Sequence, residues 1–562
     1  MNLIQNIYKI LRKLISGSPL EGELWGALKG GYRGALMLFL LFALSACDMV
    51  NEQIDEPTPE NPTPTQTDFY LSLNITLPTS DSTRSTTTDS GDNESSSDQL
   101  KGQDNENKVE SAHIFFFDAI THNQLCKFFA YKKLEYTSPN GSNDSWTITA
   151  KIEPNELREL VGKSFNLYIL ANDFNFTSGQ GNNEEERFLN GTFEILDLNS
   201  SPVQPFGRGA AGQICPMANK ECFTIEALKS VKLDGLEDYE LLKALGSIFN
   251  NDYKVDNGKL WKITDKNNIG TLSLERKIAR IDYKDGSKTG IPYTYELGSA
   301  SDGTKLKIAS MQLFNVGKKA YTFRHTQAVS VGDGSKMGEL QVFGRERGTE
   351  TGYYNWIADC DWDAKTRDLS NNFYFNQLIC NNADEDIWEL TNGNGTFITT
   401  DQLASWKDSQ NMDDGYVRWH YLSENTLPST DVMNNTYATG VEFLMQVCDS
   451  NGDPINKQEG EPSYRINLEG GKYKEVEWRE PIKEGDKEIL PGGYYIPYRW
   501  LIRHNDESDS APMRMGIVRN NVYRLSVTGI TNVPQPHEPD NSYLSVDIKV
   551  LAWAKRDITV TW

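Results

Sequence analysis

The sequence predicts an all-β protein with a few short helices, built from β-sandwich domains. Aromatic residues are plentiful, with 25 tyrosines, 23 phenylalanines and 12 tryptophans in 562 residues. Short runs of alternating apolar and polar residues are separated by clusters of glycine, asparagine, aspartate, serine and threonine. Both features are typical of the strands and turns of sandwich proteins. The chain is too long for one hydrophobic core, so two or three domains are expected.

The clearest strand covers residues 69–77, where apolar and polar side chains alternate with a period of two. Its apolar positions are Phe69, Leu71, Leu73, Ile75 and Leu77. Residues 79–108 are almost all polar, which predicts a solvated loop with no side chains to form a core. The basic residue Arg84, followed by Ser85, lies in this loop, where a protease can reach it.

Ordered patterns resume at Val109. Further strands are predicted at 113–117, 146–152, 165–171, 306–314, 440–447 and 522–527. A short helix is expected near 156–161, and the spacing of apolar residues in 236–249 predicts a longer one. Asn451-Gly452 is typical of a hairpin turn.

These patterns divide the chain into five parts: a leader (1–46), an acidic tether (47–66), an N-terminal sandwich domain (67–270), a C-terminal sandwich domain (271–531) and a tail (532–562). The tail begins with Pro534, Pro536 and Pro539, which predict an extended hinge. Apolar alternation then resumes up to the last residue. Its apolar positions are Leu544, Val546, Ile548, Val550, Trp553, Ile558, Val560 and Trp562.

The leader has the order of an export signal, since basic residues precede a short apolar run that ends in small residues before Cys47. The alternative is a transmembrane helix, but the apolar run 35–43 is well short of the roughly 20 residues that a span needs. Residues 48–60 contain acids, prolines and no base, and we expect them to stay extended as a tether.

Composition argues against two classes of partner but does not decide whether the cysteines form disulfides. The net charge is −23 and the acids are spread along the chain, which argues against nucleic acid or anionic lipid as a partner. Besides Cys47 there are six cysteines, too few for a disulfide framework at this length. Pairs such as Cys215–Cys222 or Cys360–Cys380 and buried free thiols are equally compatible with the sequence. The six are Cys126, Cys215, Cys222, Cys360, Cys380 and Cys448.

No motif predicts catalysis, a cofactor or a metal. The glycines of 207–212 have the spacing of a dinucleotide fingerprint, but Pro216 stands where the required helix would begin. Asp449, Asn451 and Asp453 begin like a calcium loop, but the sixth and twelfth positions lack the glycine and the acid that such loops need. The six histidines are scattered, so no zinc site is indicated.

Three segments together resemble the fimbrillins of Bacteroidales type V pili, more the minor fimbrial subunit than the major one. The first is Leu44-Ser45-Ala46-Cys47 followed by the strand 70–77, Pro78 and an arginine in a polar loop. The second is Arg519-Asn520-Asn521-Val522-Tyr523, and the third is the finish from Val546 to Trp562. Each is weak alone, but they occur in the family's order across nearly the whole chain.

The resemblance implies two tandem transthyretin-like β-sandwich domains and a fimbrial subunit that polymerises. It implies a lipid on Cys47, passage through the periplasm to the outer membrane, and cleavage between Arg84 and Ser85 by a trypsin-like protease, with Arg187 as the fallback cleavage site. It also implies that the strand 69–77 then leaves and that the C-terminal strands of a neighbouring subunit replace it. Anchor and tip proteins, and a host or bacterial surface receptor, are the partners it implies.

The energetics of strand 69–77 agree with this expectation. Five buried apolar side chains are worth roughly 7–15 kcal/mol as an upper estimate, which rivals the roughly 5–15 kcal/mol stability of a whole domain. Loss of the strand would leave an apolar groove edged by unpaired backbone groups, which a strand of similar pattern would fill.

Other functions stay open at this point. A stalk subunit is favoured, but the extra tryptophans in the region 384–421 leave a tip subunit as an alternative. An anchor subunit is a further alternative and would keep its first strand and its lipid. A lipid-anchored protein that binds glycan or host matrix without polymerising is a further hypothesis, as is a surface hydrolase whose carboxylates no spacing identifies.

Overall fold

The computed structural model describes residues 69–76, 99–100, 106, 109, 111–131, 145–152, 163–172, 176–194, 215–225, 253–256, 259–262, 270–317, 319–330, 337–343, 353–360, 398–410, 415–426, 438–457, 459–484, 486–504, 516–534, 543–553 and 556–561. All of them lie in one compact unit, Pro64–Trp562. The predicted leader and the predicted tether lie outside the described residues, as do both helices predicted at 156–161 and 236–249 and the glycines of 207–212.

The described residues are mainly strands, as the alternating sequence pattern predicts. In the first half of the chain these are β1 (Phe69–Thr76), β2 (Gln99–Leu100), β3 (Ser111–Asp118), β4 (Gln124–Tyr131), β5 (Ser145–Ile152), β6 (Phe165–Ala171), β7 (Thr192–Glu194), β8 (Met217–Asn219), β9 (Phe223–Ile225), β10 (Tyr253–Asp256), β11 (Lys259–Lys262) and β12 (Gly270–Arg276). They are followed by β13 (Ala279–Tyr283), β14 (Thr294–Glu296), β15 (Lys305–Phe314), β16 (Lys319–Tyr321), β17 (His325–Ser330), β18 (Met337–Val342), β19 (Tyr353–Ile357), β20 (Ile398–Thr399) and β21 (Val417–Leu422). The last are β22 (Gly440–Cys448), β23 (Ser463–Asn467), β24 (Tyr473–Arg479), β25 (Ile482–Glu484), β26 (Lys487–Leu490), β27 (Gly493–Leu501), β28 (Asn521–Ile530), β29 (Leu544–Trp553) and β30 (Arg556–Thr561).

Two α-helices occur among the described residues, α1 (Glu184–Leu189) and α2 (Thr400–Gln410). Asn183 caps α1, because its side-chain oxygen accepts a hydrogen bond from the backbone N–H of Glu186 at 2.7 Å. Three glutamates in the first turn add a favourable interaction with the helix dipole. Sequence analysis placed no helix at either position, because both are too short to show a helical period. Within the described part of the chain, no helix is both long and apolar enough to span a membrane.

The N-terminal strands form a nine-stranded antiparallel sheet in the order β3-β4-β5-β1-β30-β12-β8-β6-β9. A further pairing of β3 with β6 closes eight of the strands into a ring, and β9 lies outside this ring beside β6. Both faces of β3 are buried. Ile114 and Phe116 belong to the main core, while Phe115 and Phe117 form a second aromatic cluster with Phe188 of α1.

The C-terminal strands form two further large sheets. A five-stranded sheet has the order β2-β29-β28-β13-β21, and β14, β15, β22, β27, β24 and β23 follow one another in a second sheet that β20 joins beside β15. The two sheets share one core, in which the rings of Tyr283 on β13 and Phe443 on β22 lie 6.0 Å apart. This is the packing of a β-sandwich.

Small pairings complete the fold: β10 with β11, β7 with β16, β17 with β18 and β19, and β25 with β26. The predicted hairpin turn at Asn451-Gly452 is confirmed, since the N–H of Gly452 donates to the carbonyl of Asp449 at 3.0 Å and Gly452 has a φ of 91°. The Asp449 carboxylate accepts hydrogen bonds from the backbone N–H groups of Asn451 and Asp453, so it stabilises the turn.

Candidate functional site

The first strand, β1, is an interior strand of the N-terminal ring. All eight of its residues pair with β5, from Phe69 opposite Ile152 to Thr76 opposite Ser145. On its other side, Ser72 to Thr76 pair with Thr561 to Asp557 of β30. The predicted apolar positions Phe69, Leu71, Leu73 and Ile75 thus lie on a strand, as expected, and Leu77 lies just beyond the described residues.

The last strand, β30, is the neighbour of β1 within the same chain. Its other edge pairs with β12, with Val560 opposite Gly270 and Arg556 opposite Leu274. The ring is therefore closed by the two ends of the molecule, since β1 and β30 are adjacent and are separated by almost the whole sequence.

The structure divides the predicted C-terminal donor segment into two strands with different positions. Leu544, Val546, Ile548, Val550 and Trp553 lie on β29, and β29 pairs with β28 at nine positions in the five-stranded sheet. Leu544 is buried there, and Val546 and Ile548 pack against the core. Ile558 and Val560 lie on β30 in the N-terminal ring, and Trp562 is outside the described residues. Alternation alone did not distinguish these two strands, because both have the same period.

The predicted processing sites lie outside the described residues: Cys47, Arg84 and Ser85. Within the predicted loop 79–108, however, Gln99 and Leu100 form β2 and pair in parallel with Ala552 and Trp553 of β29. Glu106 is also described and is completely buried. Gln99, Leu100 and Glu106 of this loop therefore contact the five-stranded sheet, whereas polarity predicted a loop solvated throughout.

The chain crosses from the ring to the five-stranded sheet at Lys277-Ile278, between β12 and β13. The predicted domain boundary at residue 271 falls within β12, and the division into domains stays a prediction. The crossing is fully buried and unusually rich in charge. Its charged residues are Glu275, Arg276, Lys277 and Arg280.

One side of this crossing is an arginine cluster around Glu106. The Arg280 guanidinium donates to both Glu106 carboxylate oxygens, at 2.9 and 2.7 Å, and to both oxygens of Asp282, at 2.8 and 2.7 Å. The Tyr421 hydroxyl donates to Glu106, and Arg418 approaches the same carboxylate at 3.5 Å. Burial by itself would lower the pKa of Arg280, but the two carboxylates raise it above its ordinary value. Burial raises the pKa of Asp282, against the effect of Arg280.

The other side contains the motif Arg519-Asn520-Asn521-Val522-Tyr523. Arg519 forms a buried ion pair with Glu424, at 2.7 and 2.6 Å, and also donates to the carbonyls of Tyr321 and Thr322. Asn520 has a φ of 57°, in the left-handed region that asparagine tolerates, and its side chain accepts a hydrogen bond from the backbone N–H of Arg276. The motif therefore joins the two sheets at their crossing.

Five of the six cysteines besides Cys47 form no disulfide in the structure, and these include both members of the candidate pair Cys215–Cys222. Burial raises the pKa of Cys215 to about 12, so the thiol is protonated at neutral pH. Cys126 and Cys448 are also buried. Cys380 lies outside the described residues. No group of histidine, cysteine, aspartate or glutamate that could hold a metal occurs in the part of the chain that the structure describes.

Comparison with known proteins identifies the C-terminal region. Residues 493–559 match the family model of the major fimbrial subunit protein type IV, fimbrillin, C-terminal. The match covers β27, β28 and β29 and most of β30, so it includes the Arg519 motif and both strands of the predicted donor segment. No curated protein sequence matches the chain.

Three solved structures are similar over most of the chain. A candidate cell adhesion protein from Parabacteroides distasonis is 12% identical, with a TM-score of 0.35, and the match covers 87% of this chain and 98% of that one. A C-terminally truncated tip fimbrial protein, Mfa3, from Porphyromonas gingivalis is 11% identical, with a TM-score of 0.27 and coverage of 86% and 100%. A fimbrilin from Porphyromonas gingivalis is 13% identical, with a TM-score of 0.33 and coverage of 88% and 99%.

The C-terminal region of this all-β chain is therefore similar to the C-terminal region of the fimbrillins.

Proposed function

We propose that the chain is a subunit of a cell-surface fimbria that is exported as a lipoprotein, cleaved after Arg84 and polymerised by exchange of its C-terminal strand. The observation that carries this proposal is the position of β30. It is a terminal strand, it is joined to β29 through only residues 554–555, and it pairs with β1 and β12 in a sheet that is not the sheet of β29.

Cleavage after Arg84 would separate β1 covalently from the rest of the molecule. The departure of β1 removes one of the two partners of β30 and turns β30 into an edge strand, which presents unpaired backbone groups. β5 loses its partner along eight residues at the same time. Held by β12 alone, β30 can then leave the ring, and the β30 of a second subunit takes its place through main-chain hydrogen bonds, which is β-augmentation.

The route to the surface follows from the same proposal. A lipid on Cys47 holds the uncleaved chain at the outer membrane, and the acidic tether keeps the folded body away from it. Cleavage by a trypsin-like protease then releases the subunit for assembly with other fimbrial subunits, and the finished fimbria supports adhesion to a host or bacterial surface.

A second candidate function is that of an anchor subunit, and one observation favours it. In the intact chain, β1 and β30 together close the ring, so the uncleaved molecule has no gap between β5 and β12. A subunit that is never cleaved would keep this closed ring and its lipid at the base of the filament.

Substitution of Arg84 by alanine in the native cell tests the proposal. We expect filaments to disappear from electron micrographs and the full-length chain to stay with the membranes. In unmodified cells, we expect mass spectrometry of sheared filaments to find Ser85 as the N-terminus. The control is Arg187→Ala, because Arg187 lies in the last turn of α1, where its backbone is hydrogen-bonded on both sides. Normal filaments from the Arg84 variant would contradict the proposal, and a lipidated full-length chain in filaments would favour the anchor.

A further inference from the structure

The buried arginine cluster is unusual because its central anion comes from outside the two sheets. Arg276 lies at the end of β12 in the ring, Arg280 lies on β13, and Arg418 and Tyr421 lie on β21 of the five-stranded sheet. Glu106 comes from the segment between β2 and β3, 174 residues away from Arg280 in the sequence. Every one of these side chains is buried, and the Glu106 side chain has no exposed surface.

Charge balance shows why this one carboxylate matters. Four guanidinium groups lie in the cluster, those of Arg276, Arg280, Arg418 and Arg524. The carboxylates that face them are Glu106 and Asp282. Loss of the Glu106 charge would deprive the Arg280 and Arg418 guanidinium groups of one described carboxylate partner, and removal of one partner of a buried ion pair is strongly destabilising.

Glu106 also contacts both sheets at once. Its backbone carbonyl accepts a hydrogen bond from Nε of Arg276 at 3.1 Å, on the ring side. Its carboxylate accepts from Arg280 and Tyr421, on the side of the five-stranded sheet. A few residues earlier, β2 pairs with Ala552 and Trp553 of β29, at the end from which the chain continues to β30. β2 and Glu106 are thus each bound to the body of the molecule.

We propose that Glu106 is a latch that binds the segment following the cleavage site to an arginine socket at the crossing between the two sheets. The latch divides the polar loop in two. We expect a protease to cleave the polar part before Gln99, whereas β2 and Glu106 stay bound after cleavage. The bound part keeps β2 paired with the end of β29. This pairing fixes the position of the residues from which the chain continues to β30. The link to maturation rests on the proposed cleavage after Arg84, but the latch itself does not.

Limited digestion of the purified full-length chain with trypsin tests the latch, because Lys101 and Lys108 flank Glu106 in the sequence and Arg84 lies well before them. In the unmodified chain, we expect rapid cleavage after Arg84 and slow cleavage after both lysines. In Glu106→Gln, which keeps the shape but removes the charge, we expect cleavage after the lysines to become about a hundredfold faster. Cleavage after Arg84 should stay unchanged, which makes it the internal control.

A matched variant separates the latch from a general loss of stability. Glu442 is also a buried acid with an arginine partner, Arg499 at 2.9 Å, but it lies on β22 away from the loop. Glu442→Gln should leave the rates at Lys101 and Lys108 unchanged. The latch is refuted if Glu106→Gln changes those rates less than twofold, or if it accelerates cleavage after Arg84 to the same extent.

A measurement on the unmodified chain covers the case in which the variant does not fold. The ratio of cleavage after Arg84 to cleavage after the lysines should be large in buffer and should fall towards one in denaturant. A ratio near one in buffer would show that the segment is not held, and the latch would be wrong. Neither experiment depends on filaments, so failure of the latch and failure of the proposed function are distinguishable.

Discussion

Single residues at the crossing between the sheets explain why the motif Arg519-Asn520-Asn521-Val522-Tyr523 has this composition. Position 519 requires an arginine, because its guanidinium donates to the Glu424 carboxylate through two nitrogen atoms and to two backbone carbonyls at the same time. Position 520 requires a residue that tolerates a positive φ, as asparagine does. The hydroxyl of Tyr523 accepts from the N–H of Val518 and donates to the carbonyl of Gly516. The motif is therefore structural, and it holds the start of β28 against β12.

His325 makes the stability of this crossing depend on pH. Its ring is completely buried, and burial lowers its pKa from 6.5 to about 4, against the effect of the Phe323 carbonyl and together with that of Arg519. The folded state therefore binds a proton less readily than the unfolded state. Stability should be complete above pH 6.5 and should fall by about 3 kcal/mol as the pH drops to 4.

Chemical denaturation between pH 4 and 7 checks this expectation. His325→Gln should remove much of the slope in that window. The two ring nitrogens of His325 lie 2.9 Å from the Phe323 carbonyl oxygen and 2.9 Å from Oδ1 of Asn190. A rise in stability towards pH 4 would show that these oxygens keep the ring protonated, and the prediction would be wrong.

At the scale of the elements, the pairing of β30 decides how exchange can occur. β30 already occupies a place in its own ring, so it must leave that place before it can serve a neighbour. Within one chain, β30 pairs with β12 in a register that places Thr559 opposite Thr271. We expect a neighbour's β30 to take the same place beside β12.

Cysteine pairs test this placement directly. Chains carrying Thr271→Cys and chains carrying Thr559→Cys are mixed before assembly, so that a disulfide between the two sites must join different molecules. We expect covalent dimers from filaments on a non-reducing gel and none from the uncleaved chains. Thr559→Cys alone controls for the native thiols. Dimers that form instead between Thr147→Cys, on β5, and Thr559→Cys would place the neighbour's strand in the gap left by β1.

At the scale of the whole molecule, the two C-terminal strands have separate roles. Deletion of 554–562 removes β30 and leaves β29 on its sheet, so we expect a folded chain that forms no filaments. Deletion of 543–562 also removes the nine pairs of β29 with β28 and the buried Leu544. We expect that chain to lose cooperative unfolding or to aggregate, because the five-stranded sheet loses its pairing and part of its core.

Circular dichroism during thermal unfolding and electron microscopy of the same two variants measure these effects. Equal melting temperatures for both deletions would show that β29 is as separable as β30, which would contradict the division of the tail. Filaments formed without residues 554–562 would show that assembly does not use β30.

Much of the fold could be predicted from local patterns. The strands at 69–77, 113–117 and 165–171 and the turn at Asn451-Gly452 follow from alternation and turn chemistry, which depend on neighbouring residues only. The structure has β1, β3 and β6 at these strand positions. Local patterns could not show that β29 and β30 belong to different sheets, since both strands alternate alike.

The sequence by itself determined that the chain is all-β, that its first strand and its tail have matching alternation, and that an arginine lies in a polar loop between the first strand and the body. Only the tertiary structure decided that β30 closes the ring beside β1 and that Glu106 lies among arginines of both sheets. The physical reason is that strand partners and buried charge pairs join residues hundreds of positions apart. Their pairing is selected by packing and desolvation in the folded molecule, which no local period encodes.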